Sequence, residues 1–545
     1  MTRSSQADLT RTTDQSVFAP QLPARPGRST WTGLHGDSLP LLLARAVHDY
    51  RRGPLVVIAP DMQAAELLAD QYAFFAAGDA APALIFPDWE TLPYDLFSPY
   101  QDIISERLAT LYRLPALERG LLIVSAPTLL GRLPPRTFIE RNSLLLRRGD
   151  RLDLDGMRAR LDVAGYHCVS QVMEHGEFAV RGALLDLFPM GSRAPYRIDL
   201  FDEEIETIRT FDPESQRSLE DCTEIRLLPA REFPMDEAAI RLFRQRFRAT
   251  FEGDPQACSV YREVSQGIAP AGIEYYLPLF LEQTATLFDY LPAGSCVIQF
   301  DATERASAAF NAQLQERYEA RRHDRERPIL PPAALFLEPA ELEQRLAAWP
   351  QVQVGLFKEV LLTPDSHTFN TRRPGELRLR PRSEQPAAAL QSFIDGFPGR
   401  ILITAESTGR RETLRDQLAG FGIRPVVVAD WAAFLATDTP LALGVAPLEQ
   451  GLVLDDPAVA LLPEALLFGE RARQVRRRKP VRDPASIVRN LTDLEINAPV
   501  VHEEHGVGRY LGLERLAVGG IENEYLALGY AGGDKLYVPV AALGW

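Results

Sequence analysis

"GPLVVIAPDMQAAELLADQYAFFAA" (53–77) decides the fold class. Residues 55–59 are an unbroken apolar, largely β-branched run that stops at Pro60-Asp61. Residues 62–77 then place apolar side chains at helical spacing. A strand that is apolar on both faces needs cover on both sides, and a helix following it supplies one cover. "PALIFP" (82–87) and "GLLIVSAP" (120–127) are two more such runs, with helical sequence between them. Strands of this kind alternating with helices predict a parallel α/β sheet.

Upstream stands "TGLHGDSLPLLLARA" (32–46), a glycine-bearing loop before a leucine-rich helix. A phosphate loop needs G-x-x-x-x-G-K-[ST], so that backbone N–H groups, a Lys and a hydroxyl meet the nucleotide. With Gly33 as the first glycine, Ser38 takes the second glycine position, Leu39 the lysine and Pro40 the hydroxyl. Asp37 adds a charge that repels phosphate. The set Gly33, Gly36, Ser38 and Leu39 therefore reads as a degenerate phosphate loop serving as a turn and helix start, with Asp37 or Ser38 as the N-cap. A nucleotide hydrolase with a divergent loop is the competing reading.

Downstream the pattern changes. "GEFAVRGALLDLFP" (176–189) and "YRIDLFDEEIETIRTFD" (196–212) alternate as antiparallel strands, which predicts a small inserted α+β domain. On the strand 196–202, Ile198 and Leu200 share the core face, leaving Arg197, Asp199 and Phe201 outside, with Arg181 on the neighbouring strand. Arg beside an aromatic residue is an interface signature. From the pattern alone, a solitary exposed Phe under an Arg fits somewhat better. "FDEE" (201–204) falls in this hairpin and reads as acidic surface.

A Pro/Arg-rich stretch at 320–334 marks a boundary, after which "VQVGLF" (352–357) and "GRILITAES" (399–407) open a third α/β unit. Residues 471–482, "RARQVRRRKPVR", hold seven basic and no acidic residues. They read as a solvated linker or a phosphate-binding strip. Beyond them, period-two alternation between glycine pairs predicts a small all-β module.

The 545 residues carry a net charge of −15, so nucleic-acid contact has to be local. Cys168, Cys222, Cys258 and Cys296 are far apart in sequence, which excludes a C-x-x-C signature and suits a reducing, cytoplasmic setting. No apolar run reaches membrane-spanning length, and the first residues lack a signal-peptide core. "HEEH" (502–505) has histidines at i and i+3 instead of i+4, and "EHGE" (174–177) offers one His; neither predicts a metal site.

Four stretches carry a family resemblance: "DWETLPYDLFSPYQDIISERLATLYRL" (88–114), "VMEHGEFAVRGALLDLFPMGS" (172–192), "PAGIEYYLPLF" (270–280) and "VVHEEHGVGRYLGLERL" (500–516). Together they resemble the bacterial transcription-repair-coupling factors over roughly residues 30–545. The resemblance implies a multidomain α/β architecture: a disordered arm (1–29), a UvrB-like domain 1A (30–127), an inserted UvrA-binding domain (128–212) and domain 1B (213–335). Domain 3 (345–468), a basic linker (469–495) and a Tudor-like, CarD-like β-barrel that binds RNA polymerase (496–545) follow. It further implies that Arg181, Arg197 and Phe201 match the UvrA-binding surface, and that Leu516 contacts the polymerase β subunit. In that family ATP and Mg serve a translocase that follows the polymerase-binding domain, whereas the UvrB-like module has lost its ATP site. The expectation is an N-terminal scaffold fragment that recruits partners, is not itself an enzyme and holds no cofactor. A freestanding polymerase-binding regulator is the other alternative.

Overall fold

The computed structural model describes residues 13–76, 81–355, 366–380, 383, 385–468, 499–502, 506–518, 521–529 and 535–539. They fall into two units, divided between Glu470 and Arg471.

The first unit is built on an eight-stranded sheet. Its strands run in the order Thr13–Gln15, Ser366–Phe369, Gly27–Thr32, Pro350–Val354, Cys296–Phe300, Leu55–Ala59, Leu121–Ser125 and Ala83–Phe86, with every neighbouring pair parallel. Every residue of Leu55–Ala59 and Leu121–Ser125 is buried, as two-sided cover requires. Side chains alternate between two cores. Val56, Ile58, Leu122 and Val124 pack with Ile104, Leu108 and Leu111 of the helix Gln101–Arg113. Leu55, Val57, Leu121 and Ile123 pack with the helices Ser38–Asp49 and Met62–Phe75.

The inserted sheet has six strands in the order Ser218–Cys222, Glu204–Phe211, Tyr196–Phe201, Leu184–Leu187, Glu177–Arg181 and His167–Cys168. All its pairs are antiparallel except the last. A second small pairing joins Leu144–Arg147 to Glu224–Leu227. A further α/β sheet orders Thr371–Arg372, Leu452–Asp455, Ala458–Pro463, Arg400–Ala405, Leu441–Val445 and Val426–Val427.

Four boundaries differ from those expected. Residues 1–29 are not wholly a disordered arm: Thr13–Gln15 pairs along His367–Phe369, Val17 is buried, and Gly27–Thr32 is an inner strand. Its polar, short segments carry no periodic signal, and only distant partners make them strands. The insert does not close at 212, because Ser218–Cys222 extends its sheet and Glu224–Leu227 completes the pairing begun at 144. Residues 131 and 133, expected in the insert, bridge instead to Phe336 and Ala285 of the first unit's core region. Finally, Pro350–Val354 and Ser366–Phe369 belong to the first sheet, not to a third domain starting at 345. An apolar strand shows in sequence that it will be buried, but not in which sheet.

The second unit, described by itself, is an antiparallel sheet of Pro499–His502, Gly506–Val518, Ile521–Gly529 and Lys535–Pro539. Its longest pairing carries a bulge between Tyr510 and Gly512, where Leu511 is the extra residue. The glycine pairs at 519–520 and 532–533 lie outside the described residues.

Candidate functional site

The outer face of the inserted sheet gathers the expected interface residues. Ile198 and Leu200 are buried, so the alternation read from 196–202 holds. Phe201 stands 70% exposed at the strand end, where Asp202, at φ 54, and Glu203 turn the chain into Glu204–Phe211. That hairpin is where "FDEE" was expected.

Arg181 is not on the strand next to Arg197. Leu184–Leu187 lies between them, and it brings in Asp186, which is fully buried. Arg197 Nε donates to Asp186 Oδ1 at 2.8 Å and Nη2 to Oδ2 at 2.9 Å. Arg181 Nη2 donates to the same Oδ2 at 3.3 Å. The Asp186 carboxylate holds the Arg197 guanidinium above its ordinary pKa. Arg197 also donates to the Gln216 carbonyl at 3.1 Å and lies 4.8 Å from the Phe211 ring centre. Its side chain is only 18% exposed, against 52% for Arg181. Arg197 therefore braces the face, while Arg181 and Phe201 are the groups a partner can reach. Asp186 escaped the sequence reading; its signal was the single acid inside the apolar run "ALLDLF".

Beside them lies a shallow depression of about 510 Å³ lined by Leu184, Asp199, Glu206, Thr207 and Arg209, among others. Thr207 Oγ1 donates to Asp199 at 2.7 Å, and Arg209 reaches Asp199 at 3.7 Å and Asp221 at 3.4 Å. The face is thus polar and charge-paired around one exposed aromatic ring.

The degenerate loop is enclosed by protein. Gly33 has φ +74, and a Cβ there would meet the Phe369 carbonyl oxygen at 2.2 Å. Gly36 has φ +59, and its Cβ would lie 1.8 Å from the Gly451 carbonyl oxygen. Ser38 is buried and Leu39 half-buried. Asp37 occupies the N-cap position, but its side chain does not cap the helix as expected. It turns to residues 449–451 instead, where burial pushes its pKa up to about 6 against the pull of three backbone N–H groups.

The carboxyl ends of Ala83–Phe86 and Leu121–Ser125, where open α/β sheets usually bind ligands, are filled in a different way. Trp89, Arg107, Thr128, Glu274, Tyr275 and Phe336 line a crevice of about 50 Å³, enough for a water or two. Glu274 is buried there, and desolvation, chiefly, raises its pKa from 4.5 to about 7. Between those values the unfolded chain has released a proton that the folded chain keeps, so stability falls as pH rises through this window. Glu274→Gln is therefore expected to leave stability nearly unchanged at pH 4.5 and to raise it at pH 8 by up to roughly 3 kcal/mol. Urea unfolding at both pH values checks this, and equal shifts at the two would contradict it.

Of the remaining candidates, His175 of "EHGE" has both ring nitrogens engaged, with Asp102 at 2.7 Å and the Ser192 carbonyl at 2.8 Å. Leu516, on the strand Gly506–Val518, pairs with Asn523 of the strand Ile521–Gly529. Arg471–Arg482 and residues 503–505 of "HEEH" lie outside the described residues.

A parallel α/β unit interrupted by an antiparallel insert, with a further α/β sheet, defines a multidomain α/β protein with an inserted antiparallel domain. Residues 144–233 match the family described as UvrB interaction domain, 393–467 that described as MFD, D3 domain, and 494–544 that described as CarD-like/TRCF RID domain. The chain is 44% identical over 528 residues to a transcription-repair-coupling factor of Escherichia coli, covering 96% of this chain and 45% of that protein. A protein of the same name from Haemophilus influenzae is 40% identical, covering 97% and 46%, and one from Myxococcus xanthus 30%, covering 94% and 44%. Over nearly its whole length the chain is thus similar to transcription-repair-coupling factors, and it spans a little under half the length of those relatives.

Proposed function

We propose that this chain is a docking scaffold that couples stalled transcription to nucleotide excision repair. In this reading the insert's outer face recruits UvrA, the second unit holds the β subunit of RNA polymerase, and ATP-driven movement on DNA is the work of other parts of the whole protein. The observation that carries it is that Phe201, 70% exposed, and the half-exposed Arg181 stand on one sheet braced by buried Asp186, inside the stretch matched to the UvrB interaction domain. Aromatic and arginine side chains are the residue types enriched in binding interfaces. For the second unit, support comes from the match over 494–544 and from the four-stranded antiparallel sheet. The Tudor-like barrel and the Leu516 contact belong to this proposal, as does any DNA contact by Arg471–Arg482.

A reciprocal binding experiment tests both ends at once. Arg181→Ala with Phe201→Ala is expected to weaken UvrA binding by roughly thirtyfold or more while polymerase binding stays intact. Leu516→Arg is expected to do the reverse. If either variant binds both partners as the parent does, the corresponding assignment fails.

A further inference from the structure

The loop that resembles a phosphate site meets its counterpart across the first unit. The strand Gly27–Thr32 runs out at its carboxyl end into residues 33–37. The strand Leu441–Val445 of the further α/β sheet runs out at its carboxyl end into residues 446–451. The two loops touch. Asp37 N–H donates to the Gly451 carbonyl at 3.0 Å, and Gly36 packs so closely there that no side chain fits. Gln71 Nε2 donates to Asp37 Oδ1 at 3.3 Å and to the Pro447 carbonyl at 3.1 Å, linking the same two loops.

The Asp37 carboxylate sits where three successive backbone N–H groups converge. Gly451 N–H donates to Oδ2 at 2.7 Å, Gln450 N–H to Oδ2 at 3.0 Å, and Glu449 N–H approaches Oδ1 at 3.5 Å. Gly451 itself has φ +71, in the left-handed region that favours glycine. A concavity of successive N–H groups is an anion nest, the backbone arrangement that holds phosphate oxygens in other proteins. Here the residue is 4% exposed, so the anion in the nest is the chain's own.

We propose that Asp37 is a built-in anion that stands in for a ligand phosphate and fastens the first sheet's loop to the 449–451 nest of the further α/β sheet without any nucleotide. Apolar contacts hold the same two regions together: Trp431 packs on Phe74 and Phe75 at 6.1 and 5.2 Å, and Leu448 shares a core with Leu41, Leu42 and Leu43. Those contacts supply adhesion, while the Asp37 contacts set how the two loops meet. It follows that removing the carboxylate opens a small anion site in a protein that otherwise keeps its fold.

Amide hydrogen exchange of Asp37→Ala tests this. Gln450 and Gly451 are expected to lose protection by roughly tenfold or more, and saturating formate, with chloride as the ionic-strength control, is expected to restore it. Inorganic phosphate serves as the second probe, and restoration by either anion supports the assignment. Formate is expected to leave these amides unchanged in the parent protein, whose nest is full. Unchanged protection in Asp37→Ala overturns the proposal, and so does lost protection that neither formate nor phosphate restores. Should Asp37→Ala fail to fold, Asp37→Asn, which keeps one acceptor oxygen and the volume, reads the same amides. A loss of protection at either amide then supports the role, and none overturns it.

Discussion

Arg107→Ala is expected to destabilise the first unit by roughly 3–5 kcal/mol, because it strands a buried carboxylate. Arg107 and Glu232 have side-chain exposures of 4% and 2%, and Nε lies 2.6 Å from Oε1. The remaining donors are used as well. Nη1 reaches the Pro87 carbonyl at 2.7 Å, and the guanidinium lies 4.3 Å from the Phe86 ring centre and 5.1 Å from that of Trp89. Trp89 Nε1 completes the shell by donating to Glu232 Oε2 at 3.0 Å. The pair ties the helix Gln101–Arg113 to the chain as it returns from the insert. Arg107→Met combined with Glu232→Gln is expected to cost much less than Arg107→Ala, since no lone charge is left in the interior. Urea unfolding of the variants decides the matter. A loss under roughly 1 kcal/mol in Arg107→Ala would mean that the pair behaves as a surface bridge.

The second large effect is expected at Asp186, where Asp186→Ala should cost the inserted sheet roughly 3–5 kcal/mol. Asp186 is fully buried and accepts from both Arg197 and Arg181, so its loss takes away the carboxylate bonded to the mostly buried Arg197 guanidinium and leaves Asp199 as a counter-charge without a hydrogen bond to it. Phe201→Ala, by contrast, removes an exposed ring and should change stability by no more than roughly 0.5 kcal/mol. Stability and partner affinity therefore separate along this face. Asp186→Ala lowers both, and Phe201→Ala lowers affinity alone. Thermal unfolding measured beside partner binding shows the split, and a stable Asp186→Ala protein would remove Asp186 from its bracing role.

Much of this arrangement was legible in the sequence. The unbroken apolar runs at 55–59 and 121–124 announced strands covered on both faces, and they are buried at every position. Alternation on 196–201 separated Ile198 and Leu200 from Arg197 and Phe201 correctly, because a strand's period of two is a local property. The loss of a lysine at Leu39 was equally plain. Asp186 was passed over because an acid in an apolar strand becomes interpretable only when its arginine partners are in view.

The sequence by itself thus determined that segments such as 55–59 and 196–201 are strands, which of their faces are apolar, and which phosphate-binding groups are missing at 33–40. Those properties are set by neighbours in the chain. Tertiary structure alone decided that Pro350–Val354 and Ser366–Phe369 join the first sheet, and that Thr13–Gln15 is a strand at all. It alone placed Asp186 between two arginines and the Asp37 carboxylate against the N–H groups of residues 449–451. The reason is physical. Sheet pairing and charge compensation are made between groups separated by tens to hundreds of residues, and local periodicity carries no record of the partner.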